Sequence, residues 1–316
     1  MNFHKSKNYQ IDMTNGSIVG KLIRFSGPLI FSGILQLLFN AADIVVVGRF
    51  AGDNSLAAVG STSSLINLLV NLFVGLSVGT NVVAANYFGA GKKNELSKTV
   101  HTAILLSIYS GIILTIVGVI GAKQILRLMQ SPEEVLVKAT LYLQIYFGGI
   151  TATMVYNFGS ALLRAKGDTQ RPLYILLFAG IINVVLNLIF VVFFKMDVAG
   201  VALATVISQT ISAILVVFCL MKEEDEFKLN IKKLKMDRDI FIRIVKIGVP
   251  AGFQGIMFSF SNVIIQSSVN SFGAITIAGN SAASNLEGFV YVAMNGFAQG
   301  TLTFTSQNAG AAKYQR

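Results

Sequence analysis

The sequence predicts an all-α polytopic membrane protein, because it has few charges, a high apolar content and apolar stretches long enough to span a bilayer. Only 13% of the 316 residues are charged and 53% are hydrophobic, whereas a soluble domain is about a quarter charged. This composition excludes a disordered chain, and the single cysteine excludes a disulfide scaffold. The net charge of +10 does not indicate a nucleic-acid partner, because the basic residues lie between the apolar stretches instead of on one face.

Each membrane-spanning helix needs about 20 apolar residues, and several stretches of the chain reach that length. Six of them make up an N-terminal six-helix lobe over residues 1–221, and they cover 22–47, 56–88, 100–121, 135–163, 173–194 and 198–221. A charged linker at 222–239 is predicted to form an interfacial helix. Residues 240–316 then hold two helices of a second lobe, at 240–270 and 274–305.

The distribution of basic residues predicts the orientation of these helices. If the chain alternates from a cytoplasmic N-terminus, 20 Lys and Arg residues fall inside and 5 fall outside. Basic residues accumulate on the cytoplasmic side of membrane proteins. We therefore expect both termini in the cytoplasm, a charged linker that is also cytoplasmic, and a multi-pass protein of the cytoplasmic (inner) membrane that contacts the lipid bilayer.

Three weak internal matches share an offset of 221 or 222 residues. They pair 24–28 with 246–250, 75–79 with 296–300, and 89–92 with 310–313. A repeat unit of six spans predicts two lobes related by a twofold axis along the membrane normal. The second copy holds only two of its six helices, so we expect about four further helices in the complete protein.

Two carboxylates, Asp43 and Glu287, fall well within the predicted spans. An ionisable residue there is costly, and it usually faces a cavity. Gln36, Asn40 and Asp43 follow i, i+4, i+7 spacing, so they form one polar stripe on the first helix. The alternative is an interfacial Asp43 that reaches water or pairs with Arg49.

Several motifs together resemble the multidrug and toxic compound extrusion (MATE) transporters. They are Pro28, Asp43 and 47–49 in the first span, 79–91 at the end of the second, 164–169 before Pro172, and 199–205 at the start of the sixth. The resemblance implies twelve helices in two lobes and export of organic, often cationic compounds by antiport with H⁺ or Na⁺. By this resemblance the chain is a C-terminally truncated transporter, not an enzyme.

The resemblance also implies a cation-coupling site in the first lobe. Asp43 matches its acidic residue, Asn183, Asn187 and Thr205 match its polar partners, and Asn157 is a looser match. Some members of the family carry a second carboxylate where this chain has Asn187, so the choice between H⁺ and Na⁺ stays open. The alternative for each asparagine is a hydrogen bond that only joins helices.

Polar, aromatic and methionine side chains are candidates for a substrate cavity, since Met-rich surfaces adapt to varied ligands. The candidates are Gln36, Asn40, Met154, Tyr156, Met257, Asn262, Glu287 and Tyr291. Pro28 removes a backbone hydrogen bond from the first helix and is a candidate bend. Packing is the alternative for each aromatic or methionine.

We therefore expect a cation-coupled antiporter that exports organic cations by rocking of two lobes, as a monomer, with no cofactor, no nucleic-acid partner and no metal beyond Na⁺ at Asp43. A lipid-linked oligosaccharide or polysaccharide flippase of the same superfamily is the alternative. It would require Arg or Lys in the cavity to bind pyrophosphate, and the basic residues here are predicted in loops or at helix ends. A channel or non-transporting receptor is the alternative of another class.

Overall fold

A computed structural model describes residues 9–129, 133–270 and 274–316. Within those ranges the chain is helical, which confirms the predicted fold class. The α-helices are α1 (Ile18–Phe50), α2 (Asp53–Gly89), α3 (Lys93–Leu128), α4 (Glu133–Gly148), α5 (Ile150–Lys166), α6 (Gln170–Asn187), α7 (Asp197–Met221), α8 (Arg238–Asn270) and α9 (Ala274–Gly310).

Six of these helices are long and apolar enough to cross a membrane, and α4 with α5 would make a seventh span. The helix α9, which covers the eighth predicted span, is not in that set. Its richness in small and polar residues lowers its hydropathy, although small residues are also what close helix contacts in a membrane require.

The fourth predicted span, 135–163, is in fact two helices that meet at Gly149 with an angle of 47°. Adjacent glycines at 148 and 149 weaken the helix locally, and sharp kinks occur at such positions. A Cβ at Gly149 would overlap the side chain of Val206 on α7. The bend therefore lies at a close contact with α7.

The predicted interfacial helix over the linker is wrong. Between α7 and α8 the structure contains one short 3₁₀ turn, Ile231–Lys233. The rest of the linker is irregular, because its side chains are bound to the first lobe. Glu223 and Phe227 are buried, and the Phe227 ring packs edge-on against Phe88 at 5.5 Å.

At the repeat offset α1 corresponds to α8, and α2 corresponds to α9. Their contacts are reciprocal, because α2 packs against α8 and α1 packs against α9. A Cβ at Gly75 of α2 would overlap the backbone of Gly252 in α8. At the repeat-related Gly296 of α9, a Cβ would overlap Ile30 of α1. Exchanged contacts of this kind are expected when two copies are related by a twofold axis.

The end of the bundle that carries the linker, which we call the linker end, is closely packed. There, the Gln307 amide of α9 donates to the Ala165 carbonyl of α5 at 2.7 Å. Thr303 of α9 donates to Asn81 of α2 at 3.0 Å. At the opposite end the second half of α8 is exposed, as at Phe260. The two repeat copies therefore meet at the linker end.

Candidate ion and substrate site

Four of the predicted site residues form one hydrogen-bonded chain across three helices. The side-chain amide of Asn187 on α6 donates to a carboxylate oxygen of Asp43 on α1. The same amide lies 3.3 Å from the side-chain oxygen of Asn183. Asn183 in turn donates to the Thr205 hydroxyl on α7 at 3.4 Å. The side chains thus join α1, α6 and α7 at one point.

Local helix geometry explains this arrangement. Asn183 and Asn187 are one turn apart, so both face the interior of the bundle, and their side chains are 6% and 0% exposed. The α-helical pattern of α6 ends at Asn187, and a π-helical turn, Leu188–Phe193, follows directly. Such turns are frequently found at functional sites.

A polar cavity of about 440 Å³ lies beside the chain of hydrogen bonds. It is lined by seven of the sequence-predicted residues, namely Gln36, Asn40, Asp43, Tyr156, Asn157, Asn183 and Thr205. Asn71 of α2 and Asn295 of α9 also line it. Four of the five residues predicted for ion coupling and three of those predicted for substrate binding therefore share one cavity, and Asn187 is hydrogen-bonded to two of its lining residues.

The remaining candidates lie elsewhere. Asn262, Glu287 and Tyr291 line a second cavity of about 540 Å³ formed by α8 and α9. The Tyr291 ring stacks on Phe258 at 5.6 Å in the same cavity. Six of the eight predicted substrate residues are thus divided between two cavities.

Three predictions need correction or comment. Met154 is fully buried in the apolar core beside Phe147 and does not line the cavity, because its position on α5 faces neighbouring helices. Met257 is 59% exposed and lines neither cavity. The bend at Pro28 stays a prediction. The helix α1 is continuous through Pro28, and the Pro28 carbonyl accepts a 2.8 Å hydrogen bond from the Ser32 hydroxyl.

The sequence reasoning missed a polar stripe on α7. Ser208, Gln209 and Ser212 line the same cavity as Thr205. They lie three, four and seven residues after Thr205, the spacing that identified the stripe on the first helix. The same test applied to α7 would have found them.

The buried oxygen atoms of this region are suited to a hard cation. The side-chain oxygens of Asn187 and Gln209 are buried and have no hydrogen-bond donor. Carboxylate and carbonyl oxygens are the ligands that hard cations prefer. Among the described residues that line the cavity, Asp43 is the one acidic or basic group, so any charge that the lining carries is negative.

A second group of charges, also missed, is buried at the linker end. Lys166 pairs with Glu223 and Asp225, and Arg171 pairs with Asp168 and Glu223. Lys166, Glu223 and Asp168 are at most 2% exposed. This cluster fixes the start of the linker to the loop between α5 and α6.

Taken together, the long apolar helices and the polar cavity among them define a multi-pass helical membrane protein. The sequence profile of the MatE family matches residues 28–189 and 250–316. The chain belongs to the MatE family, whose members are transporters and not enzymes.

Individual relatives agree with this assignment. The chain is 29% identical to "Probable multidrug resistance protein YoeA" of Bacillus subtilis, over 92% of this chain and 65% of that protein. It is 28% identical to "Probable multidrug resistance protein YpnP" of the same organism, over 96% of this chain and 68% of that protein. The chain therefore spans about two thirds of the length of these relatives.

Solved structures show the same fold. The crystal structure of MATE in the bent conformation superposes with a TM-score of 0.88 and 24% identity, over 96% of this chain and 68% of that one. The resemblance inferred from the motifs is therefore confirmed at the level of family and fold.

Proposed function

We propose that the chain is the ion-coupling part of an antiporter that exports small organic cations across the cytoplasmic membrane in exchange for H⁺ or Na⁺. The observation that carries this proposal is the Asp43–Asn187–Asn183–Thr205 hydrogen-bond chain beside a polar cavity. The curated relatives named as multidrug resistance proteins support the same function. In this proposal the protein acts as a monomer with both termini in the cytoplasm.

The cycle depends on competition for one carboxylate. An ion at Asp43 neutralises the charge that attracts an organic cation, so ion and substrate stabilise different states of the cavity. A ligand shifts a conformational equilibrium only through such a difference in affinity. With the linker end in the cytoplasm, the close contacts at that end hold the protein closed to the cytoplasm, and rocking of the two lobes would open it.

The charge of the cavity favours an exporter of cations over a flippase for pyrophosphate-linked sugars. A pyrophosphate requires Arg or Lys beside it. The described lining residues of the cavity include neither. The buried Lys166 and Arg171 are paired with carboxylates at the linker end instead.

Replacing Asp43 with Asn is the direct test. We expect Asp43→Asn to abolish ion-driven efflux, because a neutral amide cannot exchange a cation or proton for the substrate. Efflux of an organic cation is measured in cells and in proteoliposomes with and without an imposed pH or Na⁺ gradient. Glu134→Gln, at an exposed acid at the start of α4, is the control that should keep full activity. Full efflux by Asp43→Asn at normal expression would refute the proposal.

A further inference from the structure

An aromatic side chain of α1 packs directly on the backbone of α6 beside the ion site. A Cβ at Gly180 of α6 would overlap the Cε2 and Cζ atoms of the Phe39 ring. Only glycine leaves room for such a close approach of a ring to a helix backbone. Gly180 therefore forms a notch on α6, and the notch is filled by the ring of Phe39, a residue that also lines the cavity.

The same two helices carry the hydrogen bond at the centre of the ion site. Asp43 lies one turn after Phe39 on α1, and Asn187 lies two turns after Gly180 on α6. The ring contact and the bond from Asn187 to Asp43 therefore belong to one interface between α1 and α6. Packed protein interiors are stiff and transmit strain. A change in the separation of the helices at Phe39 would thus be passed on to Asp43.

The neighbouring contacts of α1 show where Phe39 stands along the helix. Nearer the start of α1, a Cβ at Gly33 would overlap Val292 of α9, in the second repeat copy. Beyond Asp43, the side chain of Val47 is fully buried in the core of the first lobe. Phe39 therefore lies between the part of α1 that packs on the second copy and the carboxylate of the ion site.

We propose that Phe39 and Gly180 are positioning residues, whose contact holds the Asp43 carboxylate against the Asn187 amide. A larger residue at 180 would push the ring, and α1 with it, away from α6. The bond from Asn187 to Asp43 would then weaken although both of its groups are still present. A side chain at 39 that is too short to fill the notch would hold α1 less firmly.

The test is the ion dependence of substrate exchange in proteoliposomes. We expect Gly180→Ala to raise the ion concentration for half-maximal exchange about tenfold, the effect of weakening one hydrogen bond to a charged group. Exchange at saturating ion should keep its rate, because every group of the site remains. A loss of packing without a positioning role would instead lower the rate at all ion concentrations.

The first lobe offers a matched control and a compensating change. A Cβ at Gly118 of α3 would also overlap a phenylalanine ring, that of Phe147 on α4, and neither residue is among the described lining of the cavity. Gly118→Ala should therefore keep the ion dependence of the unmodified protein. Phe39→Leu shortens the side chain in the notch and should raise the half-maximal ion concentration by a smaller factor than Gly180→Ala. In the double variant Gly180→Ala, Phe39→Leu the new methyl group takes the space that the ring leaves, so the ion dependence should return to within about threefold of normal, as residues in contact are not additive.

An unchanged ion dependence in Gly180→Ala, an equal increase in Gly118→Ala, or a double variant no better than Gly180→Ala overturns the positioning role. If Gly180→Ala does not fold, Phe39→Leu carries the test, and an unchanged ion dependence there overturns it. The inference rests on the proposed function, so Asp43→Asn is measured alongside. Ion-driven exchange by Asp43→Asn would refute the proposed function, whereas its loss there with an unchanged ion dependence in Gly180→Ala would refute the positioning role alone.

Discussion

Asn187 holds the central position in the hydrogen-bonded chain, because it contacts both Asp43 and Asn183. Replacing it with Leu keeps the volume but removes the donor to the carboxylate and the buried side-chain oxygen. A hydrogen bond to a charged group contributes about 1.5–3 kcal/mol. We therefore expect Asn187→Leu to raise the ion concentration for half-maximal exchange at least about tenfold.

The measurement is the ion dependence of substrate exchange in proteoliposomes. Asn67→Leu is the matched control, because Asn67 is an exposed residue of α2 outside the lining of the cavity. The control should keep the ion dependence of the unmodified protein. An unchanged ion dependence in Asn187→Leu would show that the amide does not contribute to the site.

Glu223 offers a second test at the scale of single residues. It is 1% exposed and pairs with both Lys166 and Arg171. Lys166 and Arg171 each keep a second carboxylate, Asp225 and Asp168, so the change removes buried hydrogen bonds between charged groups, which contribute about 1.5–3 kcal/mol each. We expect Glu223→Gln to lower the free energy of unfolding by an amount of that order, measured by denaturation in detergent.

Glu226 provides the matched control three residues away. It pairs with the exposed Lys93 at 2.8 Å, and the hydrogen bond from Lys93 holds the pKa of Glu226 below its ordinary value. Exposed pairs contribute about 0–1 kcal/mol. Glu226→Gln should therefore change stability little at neutral pH, and equal effects of the two variants would contradict the distinction between buried and exposed pairs.

The sequence could predict those site residues that are polar, lie in an otherwise apolar helix and recur at helical spacing. Asp43, Asn183 and Asn187 are such residues, and they come together as the resemblance implied. The ion cluster at the linker end could not be predicted in the same way. Lys166 and Glu223 are ordinary charged residues in loop-like sequence, and only the tertiary structure shows that the linker folds back to bury them.

At the scale of helices, the contact between α2 and α8 depends on glycine. A Cβ at Gly75 would overlap the backbone of α8, whereas a Cβ at Gly60, on the same helix, meets nothing within 4 Å. Alanine favours a helix over glycine by about 0.8–1.0 kcal/mol, but overpacking costs about 1–3 kcal/mol. We expect Gly75→Ala to lower the unfolding temperature and Gly60→Ala to keep or raise it.

Thermal unfolding of both variants in the same detergent is the measurement. Because both changes have the same intrinsic effect on helix formation, the difference between them reports the contact with α8. Equal unfolding temperatures would show that a Cβ at Gly75 does not disturb the contact between α2 and α8.

The boundaries of helices were predictable where apolar runs end in charged or glycine-rich sequence. The bend at Gly149 is not visible in the hydropathy, which is continuous through it; its local signal is the glycine pair at 148 and 149, and only the structure shows that Val206 of α7 packs where a Cβ at Gly149 would lie. The linker was predicted as a helix from its charge pattern alone. Its irregular path follows from contacts of Glu223 and Phe227 that no local pattern reveals.

At the scale of the whole molecule, segments related by the repeat offset are similar in sequence, and they also make equivalent contacts. Gly89 approaches Gln307, and the repeat-related Gly310 approaches Asn86. These reciprocal contacts lie at the linker end, as does the bond from Gln307 to Ala165. In the proposed rocking cycle, opening this end would separate α9 from α5 and would therefore break these contacts.

Cross-linking can test that requirement. In a Cys219→Ser background, Ala165→Cys with Gln307→Cys places thiols on α5 and α9, and a short thiol-reactive reagent would join the two helices. We expect the cross-link to abolish substrate exchange, because the linker end can no longer open, and a reductant that cleaves the reagent should restore it. The control pair, Ser55→Cys with Lys138→Cys, lies within the first six-helix lobe, where Lys138 donates to Ser55 at 2.8 Å. Cross-linking that pair should leave exchange largely intact, since both residues move together. Exchange at full rate by the protein cross-linked between α5 and α9 would show that transport does not require these ends to part.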